Sequence, residues 1–291
     1  MAETVVCAVD DSEAAGQVLD TARGLADVWP AGVLVVHAVG AEQDADEAGA
    51  SVRARLAEAG ELPELRLVEG SPAEATMEAA DREDAELLVV GSRGRGPLRS
   101  AVLGSVSREL ASRARRPVVI VPSGARWAGT GGGIEDADAS VVCGVDGSDQ
   151  ALAAAALAGR LATRLGCRLV VVHARQNLRA VAAYPGASTA TPPVTGQPDA
   201  VQRQADDVVK KAEGAAGVSA VRVVEPGPPT EVLESVADRE AARLIVIAAR
   251  GVGGLRAALL GSVAAELPVA AVRPVVVLSG PAAAGYVRSA P

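Results

Sequence analysis

The chain has 291 residues, a hydrophobic fraction of 49% and a formal net charge of −8. This length points to two ordinary domains, the hydrophobic fraction excludes a disordered chain, and the acidic balance argues against nucleic acid, whose binding rests on Lys and Arg neutralising phosphates. No apolar run is long enough to span a bilayer and the start Met1-Ala2-Glu3-Thr4 lacks the basic residues of a secretory leader, so a cytoplasmic protein with no membrane partner is expected.

Apolar and β-branched runs at 4–9, 32–39, 65–68, 86–90 and 117–121 predict five strands in the first half. The Ala- and Leu-rich stretches between them, at 13–28, 43–59, 73–84 and 104–114, predict helices. Ser71-Pro72 marks a helix start, with proline at the first helical position. Strands and helices therefore alternate. Near-continuous apolar strands suit a parallel sheet covered on both faces, and right-handed crossovers make it doubly wound. Ligands of such sheets bind at the carboxyl ends of the strands, where the winding direction reverses.

The pattern occurs twice. Cys7-Ala8-Val9-Asp10-Asp11-Ser12 matches Cys143-Gly144-Val145-Asp146-Gly147-Ser148, and Val35-Val36-His37-Ala38 matches Val171-Val172-His173-Ala174. Further on, Gly104-Ser105 matches Gly261-Ser262, and Arg116-Pro117-Val118-Val119 matches Arg273-Pro274-Val275-Val276 at a larger offset, so the second half carries about 21 additional residues. The expected organisation is a first unit at 1–123, a Gly-rich linker at 124–138, a second unit at 139–280 with a Pro-rich insertion at about 177–200, and a tail at 281–291. The apolar fifth strands, 117–121 and 274–277, are edge strands that need cover, and are expected to pack against one another.

After the fourth strand the chain reads Gly91-Ser92-Arg93-Gly94-Arg95-Gly96 and then, past a loop, Gly104-Ser105-Val106, which spells G-x2-G-x9-G-S. Glycines let backbone N–H groups approach an anion, and the helix start adds unsatisfied donors. Turn glycines and a helix cap account for the same residues equally well. Asp10 reads either as a ligand contact or as an Asx-turn residue beside Asp11 and Ser12, and Arg93 and Arg95 either as phosphate partners or as solvated surface arginines.

This spacing, together with Val9-Asp10-Asp11-Ser12 at the end of the first strand, resembles the ATP-binding branch of the universal stress protein family. The resemblance covers nearly the whole chain twice. It implies two tandem Rossmann-like α/β domains, each a doubly wound parallel five-stranded sheet in strand order 3-2-1-4-5. It also implies a regulatory stress-response protein that binds ATP with Mg²⁺, and a homodimer. Carried over by position, Ala8, Asp10 and Ala38 lie at the adenine and ribose end, Gly91 approaches the ribose, and Gly94, Gly104, Ser105 and Val106 hold the phosphates. In the second half the corresponding residues are Gly144, Asp146, Ala174, Ala248, Gly251, Gly261, Ser262 and Val263. There Ala248-Ala249 replaces Gly91-Ser92, and the added methyl is expected to weaken that site.

A nucleotide-free interaction module and a weak ATPase are the competing readings. The chain has no P-loop lysine motif and no G-x-S-x-G elbow, and no G-x-G-x-x-G follows the first strand of either half. No catalytic residue is therefore assigned. Cys7, Cys143 and Cys167 are expected as reduced thiols, and His37 and His173 lack the partners a metal site requires.

Overall fold

The first strand, β1 (Thr4–Ala8), is flanked by β2 (Gly32–Val39) and β4 (Leu87–Gly91); β3 (Glu64–Glu69) and β5 (Val118–Val121) lie outside these, and every pairing in this half is parallel. The computed structural model describes residues 3–40, 43–94, 102–125, 127, 139–175, 198–251 and 260–287. The helices of the first half are α1 (Ala15–Val28), α2 (Ala45–Leu56), α3 (Pro72–Arg82) and α4 (Ser105–Arg113), with a short 3-10 turn (Ala57–Ala59) following α2. The second half repeats the plan with β6 (Ser140–Gly144), α5 (Asp149–Leu165), β7 (Arg168–Arg175), α6 (Pro198–Ala216), β8 (Ala220–Pro226), α7 (Pro229–Arg239), β9 (Ala242–Ala248), α8 (Ser262–Ala270), β10 (Val275–Leu278) and α9 (Gly280–Val287).

The spatial order is β3-β2-β1-β4-β5-β10-β9-β6-β7-β8. Each half thus has the order 3-2-1-4-5. The halves meet where β5 and β10 pair antiparallel, with Val275 opposite Ile120, Val276 opposite Val119 and Val277 opposite Val118. All six of these side chains are fully buried, and each contributes roughly 1.5–3 kcal/mol relative to exposure. Two apolar edges have become the centre of one ten-stranded sheet. Because the pairing is antiparallel, the carboxyl ends of the strands in the two halves face opposite ways.

One face of the sheet is covered by α1, α2, α5, α6 and α9, and the other by α3, α4, α7 and α8. Ser148 caps α5 by accepting the Ala151 N–H at 3.2 Å, and Gly166 ends that helix at a φ of 62°, where a side chain would be strained. Pro72 and Pro229 start α3 and α7 from the first turn, as Ser71-Pro72 and Pro228-Pro229 suggest.

Two segments differ from their sequence-based description. Residues 280–287, most of them assigned to a tail, form α9, which is packed by the buried Ala282 and Ala283. The insertion at 177–200 lies outside the described residues up to 197, and its last three residues open α6. Most of the linker is also outside the described residues, but its beginning is held. Gln17 donates to Ala125 O and accepts the Gly124 N–H at 3.2 Å. The Trp127 indole occupies the place where a Cβ on Gly24 would stand, which explains a glycine that costs about 1 kcal/mol inside α1.

Candidate functional site

Where β1, β2 and β4 end and α4 begins, the chain encloses a cavity of about 470 Å³. Ala8 and Asp10 reach it from β1, Ala38 from β2, and Gly91, Arg93 and Gly94 from the turn after β4. Gly104, Ser105 and Val106 reach it from the start of α4. All nine candidate residues of the first half therefore line one space. Arg95 and Gly96 lie outside the described residues.

Short-range bonds fix this geometry. The Val9 N–H donates to Val36 O at 3.1 Å, extending the β1–β2 ladder to the residue before Asp10. His37 Nδ1–H donates to Val9 O at 2.9 Å, so this buried imidazole holds the same backbone. Asp10 Oδ1 accepts the Ser12 N–H at 3.1 Å, an Asx turn, while α1 has no side-chain cap. A Cβ on Gly94 would stand 2.5 Å from Asp10 Oδ2. Glycine leaves room here for the carboxylate to pack onto its backbone, and no left-handed φ is involved.

At the other end of the cavity the Gly104 N–H donates to Ser92 O at 2.9 Å, and Ser107 donates from Oγ to Gly91 O at 2.6 Å. These bonds tie the start of α4 to the end of β4. Gly104 has no side chain to cap the helix, so the first N–H groups of α4, at Ser105 and Val106 beside the cavity, remain available to an anion. Arg93 lines the same space, and its Nε is buried without a hydrogen-bond partner.

The second half encloses a cavity of about 1000 Å³ at the corresponding place. Gly144, Asp146, Ala174 and Ala248 line one side, and Gly251, Gly261, Ser262 and Val263 the other. The backbone framework repeats, although the bond from Ser107 Oγ to Gly91 O has no counterpart because Ala264 stands in that place. Val145 N–H donates to Val172 O at 2.9 Å, His173 Nδ1–H to Val145 O at 2.8 Å, Ser148 N–H to Asp146 Oδ1 at 3.0 Å and Gly261 N–H to Ala249 O at 2.8 Å. A Cβ on Gly251 would overlap Asp146 Oδ2.

The linings differ in compensating pairs. A Cβ on Gly91 would come within 3.3 Å of Val18 Cγ2, and where the second half has Ala248 for Gly91 it has Ala154 for Val18. The methyl of Ala248 thus has a smaller side-chain neighbour than it would meet in the first half. A Cβ on Gly144 would stand 2.9 Å from Leu233 Cδ1, whereas in the first half Ala8 stands at the place of Gly144 and Thr76 at that of Leu233. The longer α6 also brings Gln204, Ala205 and Val208 to the second cavity.

The universal stress protein family model matches residues 39–122 and 139–279. The chain belongs to the universal stress protein family. It is 35% identical over 207 residues to a universal stress protein of Mycobacterium tuberculosis, a match covering 67% of this chain and 62% of that relative's length. A universal stress protein of Thermus aquaticus is 33% identical over 136 residues, which is 42% of this chain and 99% of that protein, so that relative is about one of the two units long. The solved structure of a universal stress protein from Archaeoglobus fulgidus shares the fold with a TM-score of 0.62 at 19% identity, covering 94% of this chain and 95% of that one.

Several features of this family member were not singled out from its sequence. Ser107 is an ordinary helix residue until its bond to Gly91 O is seen, and Thr76 and Leu233 look like generic helix positions. Arg175, at the end of β7, was missed because the matching residue of the first half is the apolar Val39. Among the described residues no group of three or more His, Cys, Asp or Glu is placed to hold a metal ion, and no helix is long and apolar enough to cross a membrane. All three cysteines are free; burial pushes the Cys7 and Cys143 thiols up to about 12, and Cys167 is half-buried.

Proposed function

We propose that the first cavity binds ATP as its magnesium complex, and that the protein is regulatory, with nucleotide occupancy shifting its conformation or association. The observation that carries this reading is the convergence of the G-x2-G-x9-G-S residues with Ala8, Asp10 and Ala38 around one cavity that has a carboxylate at one end and an uncapped helix start at the other. Adenine suits the apolar walls of Ala8, Val36 and Ala38, and the Asp10 carboxylate is an acceptor for ribose hydroxyls. The phosphates would be held by the N–H groups of α4 and by Arg93. Magnesium keeps most of its water and takes phosphate oxygens, so the single carboxylate of this cavity is compatible with it. In the second half the corresponding residues are Asp146, Gly251, Gly261 and Ser262, and the reading gives that cavity weaker nucleotide binding or none.

The reading includes a cytoplasmic protein, a homodimer of tandem chains, and neither nucleic acid nor membrane as a partner. It gives the protein no appreciable turnover, since the sequence offers neither a P-loop lysine nor an identifiable general base beside the glycine turn. Calorimetric titration with Mg·ATP tests it. The wild-type chain should bind, and Gly104→Val, whose side chain would press on Ser92 O 3.2 Å from the Cβ, should lose at least about tenfold in affinity while staying folded. Unchanged affinity in folded Gly104→Val refutes the phosphate cradle. No binding by the wild type favours the nucleotide-free interaction module, and phosphate release above a protein-free control favours the weak ATPase.

A further inference from the structure

The two cavities carry their uncommitted positive charge at opposite ends. In the first, Arg93 stands beside the glycine turn with Nε buried and unpartnered. In the second, the counterpart Arg250 is engaged, with Nη2 only 2.8 Å from where a Cβ on Gly280 would be, so its guanidinium lies against the start of α9. At the far end the relation inverts. Val39, which ends β2, is a buried apolar residue, whereas its counterpart Arg175 ends β7 and lines the second cavity. Arg175 Nε is buried without a hydrogen-bond partner, and among the described residues its guanidinium makes no ion pair.

A guanidinium N–H withdrawn from water is costly to leave unsatisfied, and a carboxylate or phosphate is its best acceptor. The other end of the same cavity keeps the uncapped start of α8 at Gly261 and Ser262. Glu231 and Glu266 stand near it; Glu266 accepts from Thr230 Oγ1 at 3.2 Å. With Asp146, three carboxylates line this cavity, and because their repulsion grows with the charge of the ligand they disfavour a triphosphate more than a single anionic group. β7 and β9 are separated by β6 alone, so the strand ends that carry the two anion-binding groups lie two strand spacings apart, about 10 Å.

We propose that the second cavity binds an elongated ligand with an anionic group at each end, one on Arg175 and one at the start of α8, in preference to a mononucleotide whose base end is neutral. This deepens the ligand reading of the second half and does not depend on ATP occupying the first. It accounts for the larger cavity, for the exchange of Val39 for Arg175, and for an arginine brought to the cavity with no partner of its own.

The test is calorimetric titration of the full chain with pentane-1,5-diyl bisphosphate, whose extended length matches the separation, with heptanedioate as the dicarboxylate of similar length and with pentyl monophosphate. At least one bis-anion should bind at least about tenfold more tightly than the monophosphate, and the tighter of the two identifies phosphate or carboxylate as the group recognised. Arg175→Leu should remove that advantage without changing monophosphate binding, and Arg175→Lys should restore part of it. Equal affinity for mono- and bis-anions, or an Arg175→Leu variant indistinguishable from wild type, overturns the proposal. Mg·ATP titrated into the same samples reports on the first cavity separately: bis-anion binding without ATP binding sinks only the nucleotide reading, and ATP binding without a bis-anion preference sinks only this proposal.

Discussion

Gly94→Ala is the sharpest probe of the first cavity, because it adds one methyl at a position with no left-handed backbone to complicate the result. The new Cβ would lie 2.5 Å from Asp10 Oδ2, and non-bonded heavy atoms settle near 3.5–4.0 Å, so the carboxylate must retreat by about 1 Å. Its other oxygen is held by the Ser12 N–H at 3.1 Å. Retreat strains or breaks that bond, which costs about 1 kcal/mol of stability. The effect on binding should be larger. A hydrogen bond from a ribose hydroxyl to a carboxylate is worth roughly 1.5–3 kcal/mol, so Mg·ATP affinity should fall about ten- to a hundredfold. The damage runs through Asp10, so Gly94→Ala made in an Asp10→Ala background should cost less than about 0.5 kcal/mol more. Calorimetry on the four proteins of that cycle decides the matter. A Gly94→Ala variant that binds ATP within about twofold of wild type, or one that keeps its full effect without the carboxylate, refutes the argument.

Two further predictions concern stability. Ser279 Oγ, fully buried between the halves, donates to Ala114 O at the end of α4 and accepts the Ala282 N–H of α9 at 3.1 Å; Ser279→Ala strands two buried groups and should lower unfolding free energy by about 1–3 kcal/mol, read from the denaturant midpoint, and an unchanged midpoint would show that the bridge contributes nothing. The second concerns the Cys7 and Cys143 thiols, which burial pushes from 9.0 to about 12. In the unfolded chain they lose their protons near the ordinary value, so the stabilisation is complete below it and is lost as pH rises towards the folded value. Each thiol should cost about 1.4 kcal/mol between about pH 8 and about pH 10, and a Cys7→Ala, Cys143→Ala variant should show a correspondingly shallower decline in denaturant titrations; equal slopes would contradict the assigned cause.

The sheet was legible because its inner strands are unbroken apolar runs. Val118–Val121 is buried at every residue, which a parallel interior strand requires and a half-exposed strand would not show. The repeat did the rest, since any element found in one half could be sought in the other. What stayed hidden depends on residues far apart in the chain. Nothing near Gly24 announces Trp127, and nothing in the small residues of α9 gives a helical period, because Ala282 and Ala283 owe their burial to packing on α5. Ala8, Asp10 and Ala38 followed only from the family resemblance, whereas Gly91, Gly94, Gly104, Ser105 and Val106 could be named from motif spacing, because the motif is local to one turn and one helix start. The reason for each glycine could not: at Gly94 and Gly104 it is room beside Asp10 and Ser92, which only the folded chain displays.

The halves diverge unevenly, and the pattern of that divergence bears on function. At the glycine turn the exchanges preserve geometry: Ala248 for Gly91 comes with Ala154 for Val18, and the bond from the helix start to the strand end is 2.9 Å in one half and 2.8 Å in the other. At the opposite end they do not. Leu233 stands for Thr76, Arg175 for Val39, and α6 supplies a wall that α2 does not give the first cavity. A cradle kept by compensation while its far end is rebuilt is what two sites sharing an anion-binding framework, and differing in the rest of the ligand, would produce. Since β5 and β10 pair antiparallel, the strand ends that carry the cavities face opposite ways. Ligands of the two cavities would then not compete for space, and each half is free to specialise while the shared apolar seam holds the sheet together.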